Sequence, residues 1–182
     1  MRVSKDDVGA RFIAPAPTAD QRPQRCNTRL AGFDYSQAGA FFVTVCTAGR
    51  RCLFGNIVDD AMVLTPIGRL VQEVWEEIPT HHEGVQTDAF MVMPNHVHGV
   101  IVQVGLESAM SGAPTLGEVV RAWKARVTVE GRRRALVHGP LWQRGYHDHI
   151  VRDDQDLDRI RRYIDDNPMA WALDEENPLR HR

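Results

Sequence analysis

Two histidines separated by one apolar residue, His96 and His98, are the side chains of this sequence best suited to bind a metal ion. They follow Pro94-Asn95 and open an apolar run, Gly99-Val100-Ile101-Val102, a pattern that predicts a buried strand entered through a tight turn. Alternate residues of a strand point to the same face, so both imidazoles would project toward one divalent cation. Two nitrogens leave positions for protein oxygens, water or substrate, as a catalytic metal requires. Such pairs also occur at strand edges and in cores, so the motif alone does not establish a metal site.

A tyrosine and an asparagine near the C-terminus form a second candidate group. Leu157, Ile160 and Ile164 have the spacing of a buried helical stripe. Tyr163 lies roughly a right angle from the centre of this stripe, where a helix would meet a sheet, and its hydroxyl would be available. Asn167 is four residues further on and shares that side of the helix. A tyrosine in this position could equally form a hydrogen bond at the rim of the core.

Basic side chains are concentrated in one stretch, although the chain as a whole carries a net charge of -2. The segment 121–144 contains a single acid, Glu130, and its cations predict contacts to the phosphates of a nucleic acid. These cations are Arg121, Lys124, Arg126, Arg132, Arg133, Arg134 and Arg144. The alternative is a solvated surface. Trp123 falls on an apolar helical stripe, which favours a place in the core over base stacking.

The bulk composition describes one soluble globular domain. The chain has 182 residues, of which 43% are hydrophobic and 25% charged. Residues 1–35 are rich in Pro and Arg without periodicity and predict an irregular arm, followed by a single domain over 36–182. Three scattered cysteines argue against a disulfide framework. With no signal peptide and no membrane-spanning run, we expect a cytoplasmic protein, associated with the nucleoid when bound to DNA.

The periodicities predict an α+β fold. We expect strands near 40–47, 88–93, 96–104 and 141–151, a hairpin within 53–64, and helices at 65–78, from Thr115, and from about Asp153 until Pro168 ends or bends the last one. Without the hairpin and the last helix, the order is β-α-β-β-α-β. This order is the ferredoxin-like arrangement, an antiparallel sheet with helices packed on one face, to which a C-terminal helix adds Tyr163.

Three motifs occur in an order that resembles the REP-associated tyrosine transposases, single-tyrosine members of the His-hydrophobic-His nuclease superfamily. They are Met93-Pro94-Asn95-His96-Val97-His98, then Leu141-Trp142-Gln143-Arg144-Gly145-Tyr146-His147-Asp148-His149-Ile150, then Tyr163-Ile164 with Asn167-Pro168 and Trp171. Phe42-Val43-Thr44 and Gly49-Arg50-Arg51 also resemble the opening of that family. The resemblance runs from about Arg29 to Trp171.

The resemblance implies a specific chemistry. It assigns His96 and His98 as ligands of a divalent metal ion, Mg²⁺ or Mn²⁺, with Asn167 at the position of a polar residue that helps to hold it. It makes Tyr163 the nucleophile that cleaves single-stranded DNA near hairpin-forming repeats and forms a 5′-phosphotyrosine. The implied partner is single-stranded DNA with a hairpin, and no association with a membrane is expected. The family likeness favours a monomer over an obligate dimer.

Two other classes of protein compete with this interpretation. Histidine-triad nucleotide hydrolases need a third histidine two residues after His98, where this chain has Val100. A catalytically inert ferredoxin-like nucleic-acid-binding protein would need exposed aromatic residues on its sheet and would have no use for Tyr163. A second His-x-His pair, His147 and His149, has no assigned role.

Overall fold

The computed structural model of the chain describes residues 38–104, 114–174 and 177–178. The predicted arm over 1–35 lies outside these residues, as does most of the small-residue loop expected between 105 and 114. The domain boundaries therefore stay a prediction. Within the described part of the chain, no helix is long and apolar enough to cross a membrane.

Four strands form one antiparallel sheet, and two short strands form a separate hairpin. The strands are β1 (Gly39–Cys46), β2 (Gly55–Val58), β3 (Ala61–Leu64), β4 (Val85–Val92), β5 (His96–Gln103) and β6 (His147–Val151). The sheet order is β4-β5-β1-β6, and β2 pairs with β3. With the hairpin set aside, this order and the intervening helices give the predicted ferredoxin-like arrangement.

The helices are α1 (Pro66–Glu76), α2 (Ile78–His81), α3 (Leu116–Arg133) and α4 (Asp154–Ala170), with single 3₁₀ turns at Ala48–Arg50 and Trp171–Leu173. Side chains cap the first turns of α1, α3 and α4. The Thr65 hydroxyl accepts from the Gly68 amide, Thr115 forms a capping box with Glu118, and Asp153 accepts from the Asp156 amide.

The two faces of the sheet are covered by different helices. Phe41, Val43 and Val45 of β1 pack with Val97 and Ile101 of β5 in the main core, which is completed by apolar residues of α1 and α3. The alternate residues point to the opposite face, where Val100 packs with Ile160 and Ile164 of α4. The predicted helical layer is thus α1 and α3, and α4 closes the other face of the sheet.

The strand predicted over Leu141–Val151 is wrong in extent, because β6 begins only at His147. Trp142 makes one isolated bridge to Thr47. The chain then turns at Gly145, whose φ of 79° lies in the left-handed region. The Lys124 ammonium donates to the carbonyls of Gln143 and Gly145, so these two acceptors cannot join a regular ladder.

Three other boundaries differ from the prediction. α1 ends at Glu76, before Pro79, which lies in the first turn of α2. β4 begins at Val85, three residues before Asp88, and carries an irregularity between Thr87 and Phe90. Pro168 does not end α4, which continues to Ala170. Asn167 and Pro168 are both buried, and this packing outweighs the backbone hydrogen bond that proline cannot donate.

Candidate active site between the sheet and the C-terminal helix

His96 and His98 lie side by side on the face of β5 that α4 covers. They stand opposite Cys46 and Thr44 of β1. Both side chains are buried, and their Nε2 atoms are 3.0 Å apart. A single cation can reach both nitrogens at ordinary metal–nitrogen distances of about 2.0–2.1 Å. The structure therefore places the pair as the spacing predicts.

The outer nitrogen of each imidazole has its own polar partner. His96 Nδ1 donates to Asn95 Oδ1 at 2.8 Å, and the amide of Asn95 donates in turn to the Arg50 carbonyl at 3.1 Å. His98 Nδ1 lies 2.9 Å from the Thr44 hydroxyl, which can donate or accept. A proton on His96 Nδ1 leaves the Nε2 lone pair of that ring for a metal ion. Asn95 and Thr44 thus orient the two rings.

Both imidazoles are held neutral. Burial lowers the pKa of His96 well below its ordinary value, and the nearby His98 and the positive charge of Arg50 lower it further. Burial lowers the pKa of His98 to about 3. Since a histidine must be unprotonated to bind a metal ion, this environment keeps both side chains ready as ligands at neutral pH.

Tyr163 projects from α4 toward His98. The centroids of the two rings are 5.3 Å apart, and the tyrosine side chain is 51% exposed. Phe42 supports both rings: it stacks on His98 at 5.3 Å and meets Tyr163 edge-on at 5.9 Å. The tyrosine is thus packed along one edge of its ring and accessible from solvent, as its border position on the helix predicts.

Asn167 lies one helical turn beyond Tyr163, and its environment suits a metal ligand. The residue is only 3% exposed, and its Oδ1 has no hydrogen-bond partner among the described residues. A buried oxygen without a partner is costly, and a cation is one group that would satisfy it. Two neutral imidazoles and an amide oxygen form a donor set for Mn²⁺ or Mg²⁺. Among the described residues there is no group of three or more His, Cys, Asp or Glu side chains that could hold a metal ion, so any third protein ligand would be of another type.

The sequence did not predict the roles of several residues of the site. Trp171, which belongs to the third motif but had no assigned role, has its ring 6.0 Å from that of His96. Phe42 and Thr44 occupy alternate positions of β1. This alternation was the signal in the sequence that could have placed both side chains on the same face of the sheet. Their contact with His98 depends on the register between β1 and β5, which no local pattern specifies.

Two polar contacts join α4 to strands of the sheet. Arg161 binds Asp88 of β4 through two 2.8 Å hydrogen bonds, which lower the pKa of Asp88. Near the other edge, His149 of β6 lies 3.0 Å from Asp156. This contact gives the second His-x-His pair a structural partner, since His149 faces α4.

The predicted DNA-binding cations lie apart from the histidines. Most belong to α3, which packs on the opposite face of the sheet, and several already have partners within the chain. Arg126 pairs with Glu77, Arg133 with Glu130, and Arg134 with Glu130 and Glu73. Lys124 holds the loop before β6, and burial lowers its pKa. Within the described ranges, Arg132 and Arg144 make no ion pair. Hydrogen bonds with Thr115 lower the pKa of Glu118, and the charge of nearby Arg121 lowers it further.

Trp123, the residue considered for base stacking, is part of the core. Trp123 is 1% exposed and packs against Trp75 and Trp142. Trp142 also contacts Phe54, and its indole N–H donates to the Lys124 carbonyl. The preference for a core position of Trp123 is confirmed.

Known proteins resemble this chain in sequence and in fold. An uncharacterized protein of Haemophilus influenzae (strain ATCC 51907 / DSM 11121 / KW20 / Rd) is 34% identical over 166 residues, covering 83% of this chain and 92% of the relative. The solved structure of a REP-associated tyrosine transposase bound to a REP hairpin has a TM-score of 0.55 and 20% identity, covering 78% of this chain and 73% of that one. This likeness confirms the predicted fold.

A putative transposase from Deinococcus radiodurans R1 is 17% identical over 75% of this chain and 95% of its own, with a TM-score of 0.45, too low to support an argument. The decisive finding is a sequence profile described as "Transposase IS200 like", which matches residues 42–167. This match begins within β1 and ends at Asn167, and so includes both histidines and the tyrosine. The chain belongs to the IS200-like transposase family.

Proposed function

We propose that this protein is a metal-dependent single-stranded DNA endonuclease and strand transferase, in which Tyr163 forms a 5′-phosphotyrosine intermediate. The observation that carries the proposal is the convergence of His96, His98 and Tyr163 on one face of the sheet, with the two Nε2 atoms 3.0 Å apart and the tyrosine ring 5.3 Å from His98. Membership of a transposase family is consistent with cleavage and rejoining of DNA.

The proposed reaction is a transesterification. The Tyr163 oxygen attacks the phosphorus of a phosphodiester and loses its proton, the bond from phosphorus to the 3′-oxygen breaks, and that oxygen takes up a proton. The energy of the phosphodiester is kept in the tyrosine ester, so attack by a 3′-hydroxyl can rejoin the strand without a nucleotide cofactor. A tyrosine hydroxyl has a pKa of about 10 and requires a polarised phosphate to react at neutral pH.

The side chains have separate tasks in this scheme. His96, His98 and Asn167 would hold a divalent ion, which when bound neutralises charge on the phosphate oxygens. Asn95 and Thr44 hold the imidazoles in the orientation that the ion needs. Phe42 supports the ring of Tyr163, and the ion pair between Arg161 and Asp88 keeps α4 on the sheet.

DNA with a hairpin is the substrate that we favour. The solved relative of similar fold is bound to a REP hairpin. A tyrosine fixed on a helix beside a sheet cannot easily reach a phosphate inside a regular duplex, whereas an unpaired strand can bend toward it. We therefore propose cleavage of a single strand near a hairpin-forming repeat.

The rival assignment, an inert nucleic-acid-binding protein, lacks its expected binding surface. Such a protein stacks bases on aromatic side chains exposed on its sheet. Here α1 and α3 cover one face and α4 packs on the other, where Phe42 lies against Tyr163 and His98. The described residues thus favour catalysis over a stacking platform.

The test is formation of a covalent adduct. A single-stranded hairpin substrate labelled at its 3′ end, incubated with protein and Mn²⁺, should give a protease-sensitive shifted band on a denaturing gel. Tyr163→Phe should abolish the band. Tyr146→Phe is the matched control and should retain it, because Tyr146 packs against the main core on the opposite side of the sheet. An undiminished band with Tyr163→Phe would show that another group is the nucleophile.

A further inference from the structure

The turn after β1 holds Arg50 in a conformation that its residue type disfavours. Its φ of 52° lies in the left-handed region, where a side chain is strained and glycine is not. Arg50 is also exposed, so packing of its side chain in the core does not explain the choice. Strained non-glycine residues that persist beside a reactive centre point to a role for the side chain.

The same turn is tied directly to the metal-binding candidates. The Asn95 amide donates to the Arg50 carbonyl, while Asn95 Oδ1 accepts from His96. The Asn95 side chain therefore holds both the backbone of Arg50 and the imidazole of His96 in place.

The Arg50 backbone is tied to the His96 end of the site, whereas Tyr163 contacts His98 at the other end. Along α4, Tyr163 comes first and contacts His98, Asn167 follows one turn later, and Trp171 lies beside His96. Arg50 is joined through Asn95 to the His96 end. In an in-line displacement at phosphorus, the leaving group departs on the side opposite the nucleophile.

We propose that Arg50 binds a phosphate of the DNA strand that carries the departing 3′-oxygen. A guanidinium suits this ligand, because it is always charged and can donate two parallel hydrogen bonds to a phosphate. By holding that strand after cleavage, Arg50 keeps the 3′-hydroxyl near the tyrosine ester for rejoining. The inference rests on the proposed function for the identity of the strand.

A binding experiment tests the phosphate contact without requiring cleavage. In a Tyr163→Phe background, the affinity for a fluorescent single-stranded hairpin is measured by anisotropy between 50 and 200 mM salt. Arg50→Gly should weaken binding about tenfold and reduce the slope of log K against log salt by about 0.7. Its Tm should be unchanged or higher by up to about 3 °C, since glycine relieves the strain.

Control variants separate the effect of the Arg50 charge on DNA binding from effects on the fold. Arg69→Gln removes a cation from α1 on the opposite face, where Arg69 binds the Leu64 carbonyl, and should leave affinity and slope unchanged. Arg50→Lys keeps the charge and should retain part of the slope. Ala135→Gly, at another residue with positive φ, should show the same relief of strain with no change in DNA binding. An Arg50→Gly protein that binds DNA like Arg69→Gln would overturn the proposal.

A second arm distinguishes this inference from the proposed function. Once the wild-type adduct has mapped the cleavage site, the two product fragments are tested separately. Arg50→Gly should weaken binding of the fragment ending in a 3′-hydroxyl and should raise the concentration of that fragment needed for rejoining. An equal loss for both fragments would overturn the strand assignment. If the wild-type protein forms no adduct, the proposed function fails, while the salt dependence still decides whether Arg50 contacts a phosphate.

Discussion

Arg161 donates two hydrogen bonds of 2.8 Å to the two carboxylate oxygens of Asp88, and this bidentate pair joins α4 to β4. The pair is distant in sequence, yet it controls how the helix that carries Tyr163 sits over the histidines on β5. A small displacement of α4 would change the distance from the tyrosine oxygen to a bound phosphate, and reaction rates are sensitive to such displacements.

Asp88→Asn should therefore slow adduct formation more than it destabilises the fold. We expect a loss of about 1 kcal/mol in unfolding free energy, because the pair is partly exposed and screened by solvent. The adduct rate should fall at least about tenfold. Urea unfolding and gel-based rates measure the two effects. Arg159→Gln is the control, since Arg159 is 69% exposed and its ion pair among the described residues lies within α4. An equal rate loss in this variant would contradict the argument.

His98→Ala and His96→Ala should each abolish cleavage while leaving the fold and most DNA binding intact. Each change removes one of two converging nitrogens, so the affinity for Mn²⁺ should fall at least about 100-fold. Titration of Mn²⁺ followed by electron paramagnetic resonance reports this affinity without any DNA. Wild-type metal affinity in either variant would show that the pair is not a metal site.

Asn167→Leu should have opposite effects on stability and metal binding. The change removes the buried oxygen that has no partner within the described ranges, so the metal-free protein should gain about 1 kcal/mol of stability. Affinity for Mn²⁺ should fall, because leucine cannot donate an oxygen. Gln103→Met is the control and should leave the affinity for Mn²⁺ unchanged. Gln103 also lies on β5, but its side chain donates to the Pro114 carbonyl. If Asn167→Leu leaves metal affinity intact, Asn167 is not a ligand.

The sequence alone predicted the elements that local physics dictates. The sequence predicted helices that start near Thr65, Thr115 and Asp153, and the apolar run after Pro94-Asn95 predicted β5. The contacts of Phe42, Thr44 and Asp88 could not be predicted, because they depend on strand register and on the packing of α4. Pro168 and the segment 141–146 deviate for the same reason, since tertiary contacts overrode the local preference there.

The metal-free protein should lose stability as the pH falls below about 6.5. The folded state depresses the pKa of both His96 and His98, that of His98 to about 3, so below 6.5 the unfolded chain takes up protons that the folded chain does not. For His98, the unfolding free energy is unaffected above pH 6.5 and declines by about 1.4 kcal/mol per pH unit between 6.5 and about 3. The lowered pKa of His96 adds to this decline. Urea unfolding in EDTA at pH 7.5 and 5.0 measures this decline. In His98→Ala the decline should be smaller by about 2 kcal/mol; an unchanged decline would contradict the assignment.

Single-stranded DNA carrying a hairpin should bind much better than a blunt duplex of the same sequence. The sequence predicts phosphate contacts from the arginine triplet Arg132–Arg134, yet Arg133 and Arg134 are paired with Glu130 while Arg132 makes no ion pair with a described residue. Arg132→Gln should therefore flatten the salt slope by up to about one unit at little cost in stability. Arg134→Gln should reduce stability more and the slope less, because binding DNA would require it to leave Glu130 and Glu73. Anisotropy titrations with both DNA forms, together with urea unfolding, separate these effects. Equal affinity for hairpin and duplex would exclude the substrate preference, and a salt slope unaffected by either change would place the DNA away from this end of α3.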